Sequence, residues 1–242
     1  MSRPRVAVDL VPDPERLRRT APAGAPARAA GPAGVAIDVL RATSTLTVAR
    51  ANGAAVVVPF ATPEGALAYR DAHPGALACG ERGGRIVPGF DLGNSPSEFP
   101  RDRVAGRTLA FASTNGSLAM LAVAHRPVRW LAAFVNAAAV TRALVAGGRD
   151  VAITCAGKEG AFALEDAACA GWLVARLAEA GFEPGNAAAR LCASLAPRDA
   201  LGVRALVEGC EHARVLRELG PAYAADVGFC AALDALDAAH GF

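Results

Sequence analysis

The sequence predicts a layered α/β protein with a largely parallel or mixed sheet. Short β-branched runs alternate with helical stretches along most of the chain, and polar turns rich in hydroxyls, Asn or Gly separate each run from the helix after it. The third observation is bulk: 242 residues that are 53% hydrophobic can bury a large core, as one big domain or two smaller lobes.

Residues 1–34 read as an N-terminal strand and a surface connection, since Pro12–Gly34 is rich in Ala, Pro and Gly with several arginines. Residues 35–242 carry the α/β pattern. Val35–Leu40 is a β-branched run, followed by a helix from about Thr43 to Asn52, with Gly53 as its stop and "AAVVVPF" as the next strand. Thr62 can cap a helix with Pro63 in its first turn and Glu64 just behind, and "GALAC" is another apolar run. "RTLAFAS" leads into "TNGS" and an Ala/Leu-rich helix, and "VRWLAAFV" into Asn136 and "AAAVTRALVAGG". "DVAITCAG" leads into a loop before a helix around Glu165–Ala180. From Ala187 the pattern is helical almost to the end, through "ALVEGCEHARVLRELG" and "FCAALDALDAAH". No fixed-period repeat suggests a solenoid.

Lys and Arg number 25 against 23 acids, with no long run of either sign, so no nucleic-acid surface or polybasic membrane anchor is expected. A small ligand is. The six cysteines show neither a CxxC pair nor a His-Cys zinc spacing and read as reduced thiols. The apolar stretches are short and the start lacks a secretory segment, so the expected location is the cytoplasm.

In open α/β sheets, ligands collect beyond the carboxyl ends of strands, where helix N-termini present N–H groups. The segments after the predicted strands carry Asp38 with Arg41, Thr43, Ser44 and Thr45; "GERGG" with Glu81 and Arg82; "STNGS"; and "CAGKEG", with Glu165 and Asp166 farther on. Arg41 and Arg82 suit phosphate or sulfonate oxygens. Asp38, Glu81 and Asp166 would repel that anion, so a hard cation, Mg2+, is expected between carboxylates and phosphate, which reads as metal-assisted phosphoryl transfer. The plainer alternative is that Asp38–Arg41 and Glu81–Arg82 are ordinary salt bridges. In "GRIVPGFDLGNSPSEFP", Ser95, Pro96 and Glu98 form a capping pattern, and the turn holding Asp91 and Asn94 is a candidate cover for a ligand.

Other signatures fail. There is no GxxxxGK[ST] loop and no GxGxxG after a strand. Position 40 is Leu, where a haloacid-dehalogenase-type enzyme would need its second acid. Cys79 and Arg85 have the C-x5-R spacing of cysteine phosphatases, but Glu81 falls inside the would-be phosphate cradle. Cys155 reads as a small buried side chain before it reads as a nucleophile. His73, His125, His212 and His240 fall in predicted surface helices or helix ends and receive no catalytic role.

The segments "IDVLRATST" (37–45), "GERGG" (80–84), "GFDLGNSPSEF" (89–99), "TNGS" (114–117), "NAAAV" (136–140), "CAGKEGAFALEDAACAG" (155–171) and "DVGFCAALD" (226–234) closely resemble, in order, the 2-phosphosulfolactate phosphatase family. The resemblance implies a Mg2+-dependent phosphatase that converts 2-phospho-3-sulfolactate to 3-sulfolactate, a step associated with coenzyme M biosynthesis. It also implies two α/β subdomains and a homodimer. The stretch before Val35 is longer than the family leads one to expect, and "DAAHGF" stands where a further apolar run is expected. In the mechanism this suggests, Asp38, Glu81 and Asp166 hold Mg2+, while Arg41 and Arg82 neutralise charge on the phosphoryl group. Thr43, Ser44, Thr45 and the turn Thr114, Asn115, Gly116, Ser117 position phosphate, and Asn94, Ser95 and Lys158 reach toward sulfonate or carboxylate. Direct attack by water and a phosphoenzyme on Asp38 or Cys155 both stay open. So do a related phospho-hydroxy acid as substrate, a non-catalytic sensor of a phosphorylated metabolite, and a sugar-phosphate isomerase.

Overall fold

The computed structural model describes residues 3–13 and 31–242. The connection expected over Pro12–Gly34 therefore lies almost wholly outside the described residues, and Ala33 and Gly34 already belong to a strand. Strands β1 (Arg5–Asp9), β2 (Ala33–Ile37), β7 (Arg129–Ala132), β8 (Val151–Cys155) and β9 (Glu183–Pro184) form a parallel sheet in the order β7-β2-β8-β1-β9. Strands β3 (Val56–Pro59), β4 (Leu77–Arg82), β5 (Arg85–Ile86) and β6 (Thr108–Ala112) form a second sheet, β3-β6-β4-β5. It is parallel except for the β4–β5 hairpin. The α/β class stands, with one parallel and one mixed sheet.

Every residue of β2 is buried, as a central strand covered on both faces requires. One face meets helices α5 (Ala137–Gly147), α6 (Leu164–Glu179) and α7 (Ala187–Leu195), whose Val140, Leu173, Leu177 and Cys192 join Val35, Ile37 and Ile153 in one apolar cluster. On the other face, Ala36 and Leu131 join Leu46 of α1 (Ala42–Ala51) and Met120 of α4 (Gly116–Val123). The same cluster takes in Val57, Leu109 and Phe111 of the second sheet, so the two sheets share one packed layer of helices.

Thr62 caps α2 (Pro63–Ala72) as expected, accepting the Gly65 N–H at 3.2 Å. Ser95 does not cap: Pro96–Glu98 is one 3-10 turn, and Glu98 reaches back to the Gly93 N–H. After the short α3 (Arg101–Val104), the C-terminal part packs as α8 (Ala200–Gly209), α9 (Glu211–Leu219) and α10 (Pro221–Cys230). The helix expected over "FCAALDALDAAH" stops at Cys230. Beyond it the backbone bonds to the end of the first sheet instead: Asp234 N–H to Phe134 O, Leu236 N–H to Val135 O, and Leu131 N–H to His240 O. Asp234 also accepts the Ala138 N–H in the first turn of α5, at 2.7 Å. Tertiary bonds thus replace helical ones.

All six cysteines are buried and unpaired. Among the described residues, no helix is long and apolar enough to cross a membrane.

Gly171 lets α6 and α7 approach closely, because a Cβ there would stand 1.9 Å from the Cys192 carbonyl oxygen. Gly171→Ala forces two backbones apart. It should lower stability by about 1–3 kcal/mol, read as an earlier urea midpoint with an unchanged denaturant slope; an unshifted midpoint would show that the helices separate without strain.

Candidate active site

The carboxyl ends of β2, β4, β6 and β8 open on one cleft. The segment after β2 contributes Asp38, Leu40 and Arg41; the β4–β5 hairpin contributes Glu81, Gly83 and Gly84. Thr114 and Asn115 enter before α4, and Lys158 and Glu159 after β8. The loop before the 3-10 turn lies back along β4, its Asp91 accepting the Ala78 N–H at 2.8 Å, and so brings in Asn94. The remaining wall is one face of α9: His212, Val215, Leu216 and Leu219.

Asp38 is 6% exposed. Burial pushes its carboxyl up to about 6; His212 opposes that rise, while the charges of Glu81 and Glu165 add to it. The Ala42 N–H at the start of α1 bonds to the carboxylate. Gly116 leaves it room, since a Cβ there would lie 2.4 Å from Asp38 Oδ2. Glu81 accepts the Thr114 N–H on Oε1 and the Gly84 N–H on Oε2, each at 2.7 Å, and ties the hairpin to the loop after β6.

Arg41 is 3% exposed and follows a cis Leu40–Arg41 peptide. Its Nη1 donates to Asp226 Oδ2 at 2.6 Å, its Nη2 to the Gly84 carbonyl at 2.8 Å, and its guanidinium stacks 5.0 Å from the Tyr223 ring centre. The Asp38–Arg41 salt bridge considered above is therefore replaced by Arg41–Asp226. Asn94, 5% exposed, keeps its Oδ1 without a hydrogen-bond partner. Lys158 stands at the mouth, 3.1 Å from Glu211.

Other residues expected at the site lie elsewhere. Arg82 follows Glu81 in a strand, where successive side chains alternate between faces; it bonds to the carbonyls of Glu81 and Ala61 and does not line the cleft. Asp166 uses both oxygens on backbone N–H groups, Val39 at 2.8 Å and Gly157 at 3.0 Å, and so clamps the loops after β2 and β8 together. Burial, with Asp38's charge adding, pushes its carboxyl well above the ordinary range.

The hydroxyls serve the same loops. Thr43 accepts the Asp38 N–H and sits 2.7 Å from the Ala132 carbonyl; Ser44 donates to Val39 O and Thr45 to Asn94 O. Ser95 donates to Asp226 Oδ1 at 2.6 Å, and Ser117 bonds with Ser113. None of these five lines the cleft. Thr114 and Asn115 do, Asn115 also accepting the Glu159 N–H, and Gly116 contributes clearance.

Among the described residues, no three His, Cys, Asp or Glu are arranged to hold a metal. Of the three acids that line the cleft, the exposed Glu159 stands apart from two buried carboxylates, Asp38 and Glu81. That set fits Mg2+, which typically takes one or two carboxylates and completes its shell with water and substrate phosphate. Cys79 and Cys155 are buried thiols with burial pushing both well up, and neither lines the cleft, so neither is poised as a thiolate.

Two groups at the site were missed in the sequence. His212 lines the cleft, with Nδ1 3.2 Å from Glu165 Oε1. Its signal was there: His212, Val215, Leu216 and Leu219 follow helical spacing, a histidine in an otherwise apolar stripe. Burial acts to raise the Glu165 carboxyl, but hydrogen bonding from His212 and the backbone leaves it below its ordinary value. Asp226, the anchor of both Arg41 and Ser95, is a lone acid in the apolar run "YAADVGFC".

Residues 20–240 match the family model described as 2-phosphosulpholactate phosphatase. A probable 2-phosphosulfolactate phosphatase of Synechococcus sp. (strain JA-3-3Ab) is 39% identical over 218 residues, 89% of this chain and 88% of that protein. A protein of the same description from Gloeobacter violaceus is 40% identical over 207 residues, covering 84% and 85%. Another, from Thermotoga petrophila, is 37% identical over 200 residues, covering 83% and 84%. Since the family match spans every strand but β1 and every strand end that forms the cleft, the chain belongs to the 2-phosphosulfolactate phosphatase family.

Proposed function

We propose that this protein is a phosphoric monoester hydrolase that releases phosphate from 2-phosphosulfolactate in the cleft at the strand ends. The observation that carries the reading is the pairing of two buried carboxylates, Asp38 and Glu81, with a buried guanidinium, Arg41, in one cleft. A sensor of a phosphorylated anion gains nothing from carboxylates that repel its ligand.

Asp38 faces the phosphoryl group and takes a proton from the attacking water. Arg41, immobilised by Asp226, presents its remaining N–H groups to the phosphoryl oxygens without reorganising. The Asn94 side-chain nitrogen, a donor, and the Lys158 ammonium serve the carboxylate and sulfonate. Asp38 and Glu81 would hold Mg2+, which when bound supplies positive charge to the phosphoryl oxygens.

The test is phosphate release from racemic phosphosulfolactate and phospholactate, with Mg2+ and with chelator. Turnover lost on chelation supports the full reading. Turnover indifferent to chelator removes the metal, and binding without turnover supports a sensor. A faster rate on phospholactate than on phosphosulfolactate transfers the reading to a related phospho-hydroxy acid.

A further inference from the structure

A phosphate ester of an aliphatic alcohol leaves slowly unless its bridging oxygen gains a proton as the P–O bond breaks. Asp38 and Glu81 are carboxylates, Arg41 never releases a proton, and the Lys158 ammonium is held at the mouth by Glu211. His212 is differently placed. Its Nδ1 is 3.2 Å from Glu165 Oε1, and Glu165 is a carboxylate only 2% exposed. An ionised carboxylate only accepts, so Nδ1 is the donor, and the ring's other nitrogen is free to act. Among the described residues, Nε2 has no hydrogen-bond partner.

The ring stands between two cavities. One holds Glu165 with Phe162, Leu164 and Cys210; the other is the catalytic cleft, and His212 borders both. The Nδ1 edge meets Glu165, which lines only the first of these cavities, and that leaves the rest of the ring to border the cleft. The helix that carries it is held by Leu216, which is buried in the main core.

We infer that His212, as the imidazolium paired with the Glu165 carboxylate, is the general acid of the reaction, delivering its Nε2 proton to the bridging oxygen of the substrate and becoming the neutral Nδ1–H ring, and that Glu165 is a positioning residue that aims the ring. This rests on the phosphatase reading above. The water oxygen bonds to phosphorus, the bond from phosphorus to the bridging oxygen breaks, and its electron pair stays on that oxygen, which takes the imidazole proton. The proton lost by water goes to Asp38 and returns to the imidazole through solvent, so nothing but water is consumed.

The experiment compares 2-phosphosulfolactate with p-nitrophenyl phosphate, whose phenolate leaves without a proton, using the full chain and its His212→Asn, His212→Gln and Glu165→Gln variants. The histidine variants should lose about 10²–10³-fold in kcat on phosphosulfolactate and less than about tenfold on p-nitrophenyl phosphate. Glu165→Gln should show the same selectivity with a smaller loss. Thermal midpoints identify the folded histidine variant to be read. Equal losses on both esters, or a retained rate on phosphosulfolactate, overturn the acid role while leaving the phosphatase intact. An unmodified protein that hydrolyses neither ester overturns the phosphatase reading and this one with it.

Discussion

Asp38→Asn is expected to abolish phosphate release, by about 10³-fold or more, and at the same time to make the fold more stable at pH 8. The stability gain follows from linkage. The folded-state carboxyl is raised from 3.8 to about 6, so the native protein holds a proton that the unfolded chain has already lost across that window. Stability therefore falls as pH rises from about 4 to 6, by about 2–3 kcal/mol in all. Asparagine removes that penalty and keeps an oxygen for the Ala42 N–H. The gain should be present at pH 8 and absent at pH 4, which thermal melts at the two values would test. A companion melt bears on the cation: Mg2+ at about 100 times its Kd should stabilise the unmodified protein by about 2.7 kcal/mol and the variant far less. An unmodified protein whose midpoint ignores Mg2+ removes the metal from the proposed mechanism, whatever the variant does.

The strand-turn-helix rhythm could be read because it is local: Thr62 caps α2 and Pro63 opens it, as their chemistry dictates. Asp38, Glu81, Thr114 and Lys158 could be read for a related reason, since the ends of parallel strands share one edge wherever the strands lie in sequence. Which side chain turns inward was harder. Glu81 and Arg82 are neighbours on β4, and one step of alternation sends Arg82 out to the Ala61 carbonyl. The hydroxyls Thr43, Ser44 and Thr45 marked the right loop, but backbone groups consume them, those of the same loop for Thr43 and Ser44 and the Asn94 carbonyl for Thr45. Asp166 sits in the first turn of α6, where an acid already has a structural use. His212 reaches the cleft, and Asp226 reaches Arg41, on helices more than 170 residues beyond Asp38 and Arg41, and only tertiary packing reveals them.

Asp226→Ala should be the most destabilising single change near the cleft, at about 3–5 kcal/mol, because it strands Arg41 as a buried unpaired charge and leaves Ser95 without its acceptor. A urea titration measures that loss. Activity should fall as well, since Arg41 no longer has two fixed contacts to hold its orientation, but the single variant confounds folding with catalysis. Arg41→Met combined with Asp226→Leu separates them: replacing a buried ion pair with apolar groups of similar size is often neutral or stabilising. The pair should therefore regain most of the lost stability. Turnover should remain at the level of Arg41→Met alone, because the guanidinium that meets the phosphoryl oxygens is still missing. A double variant that recovers turnover along with stability would mean that Arg41 serves the fold and not the reaction.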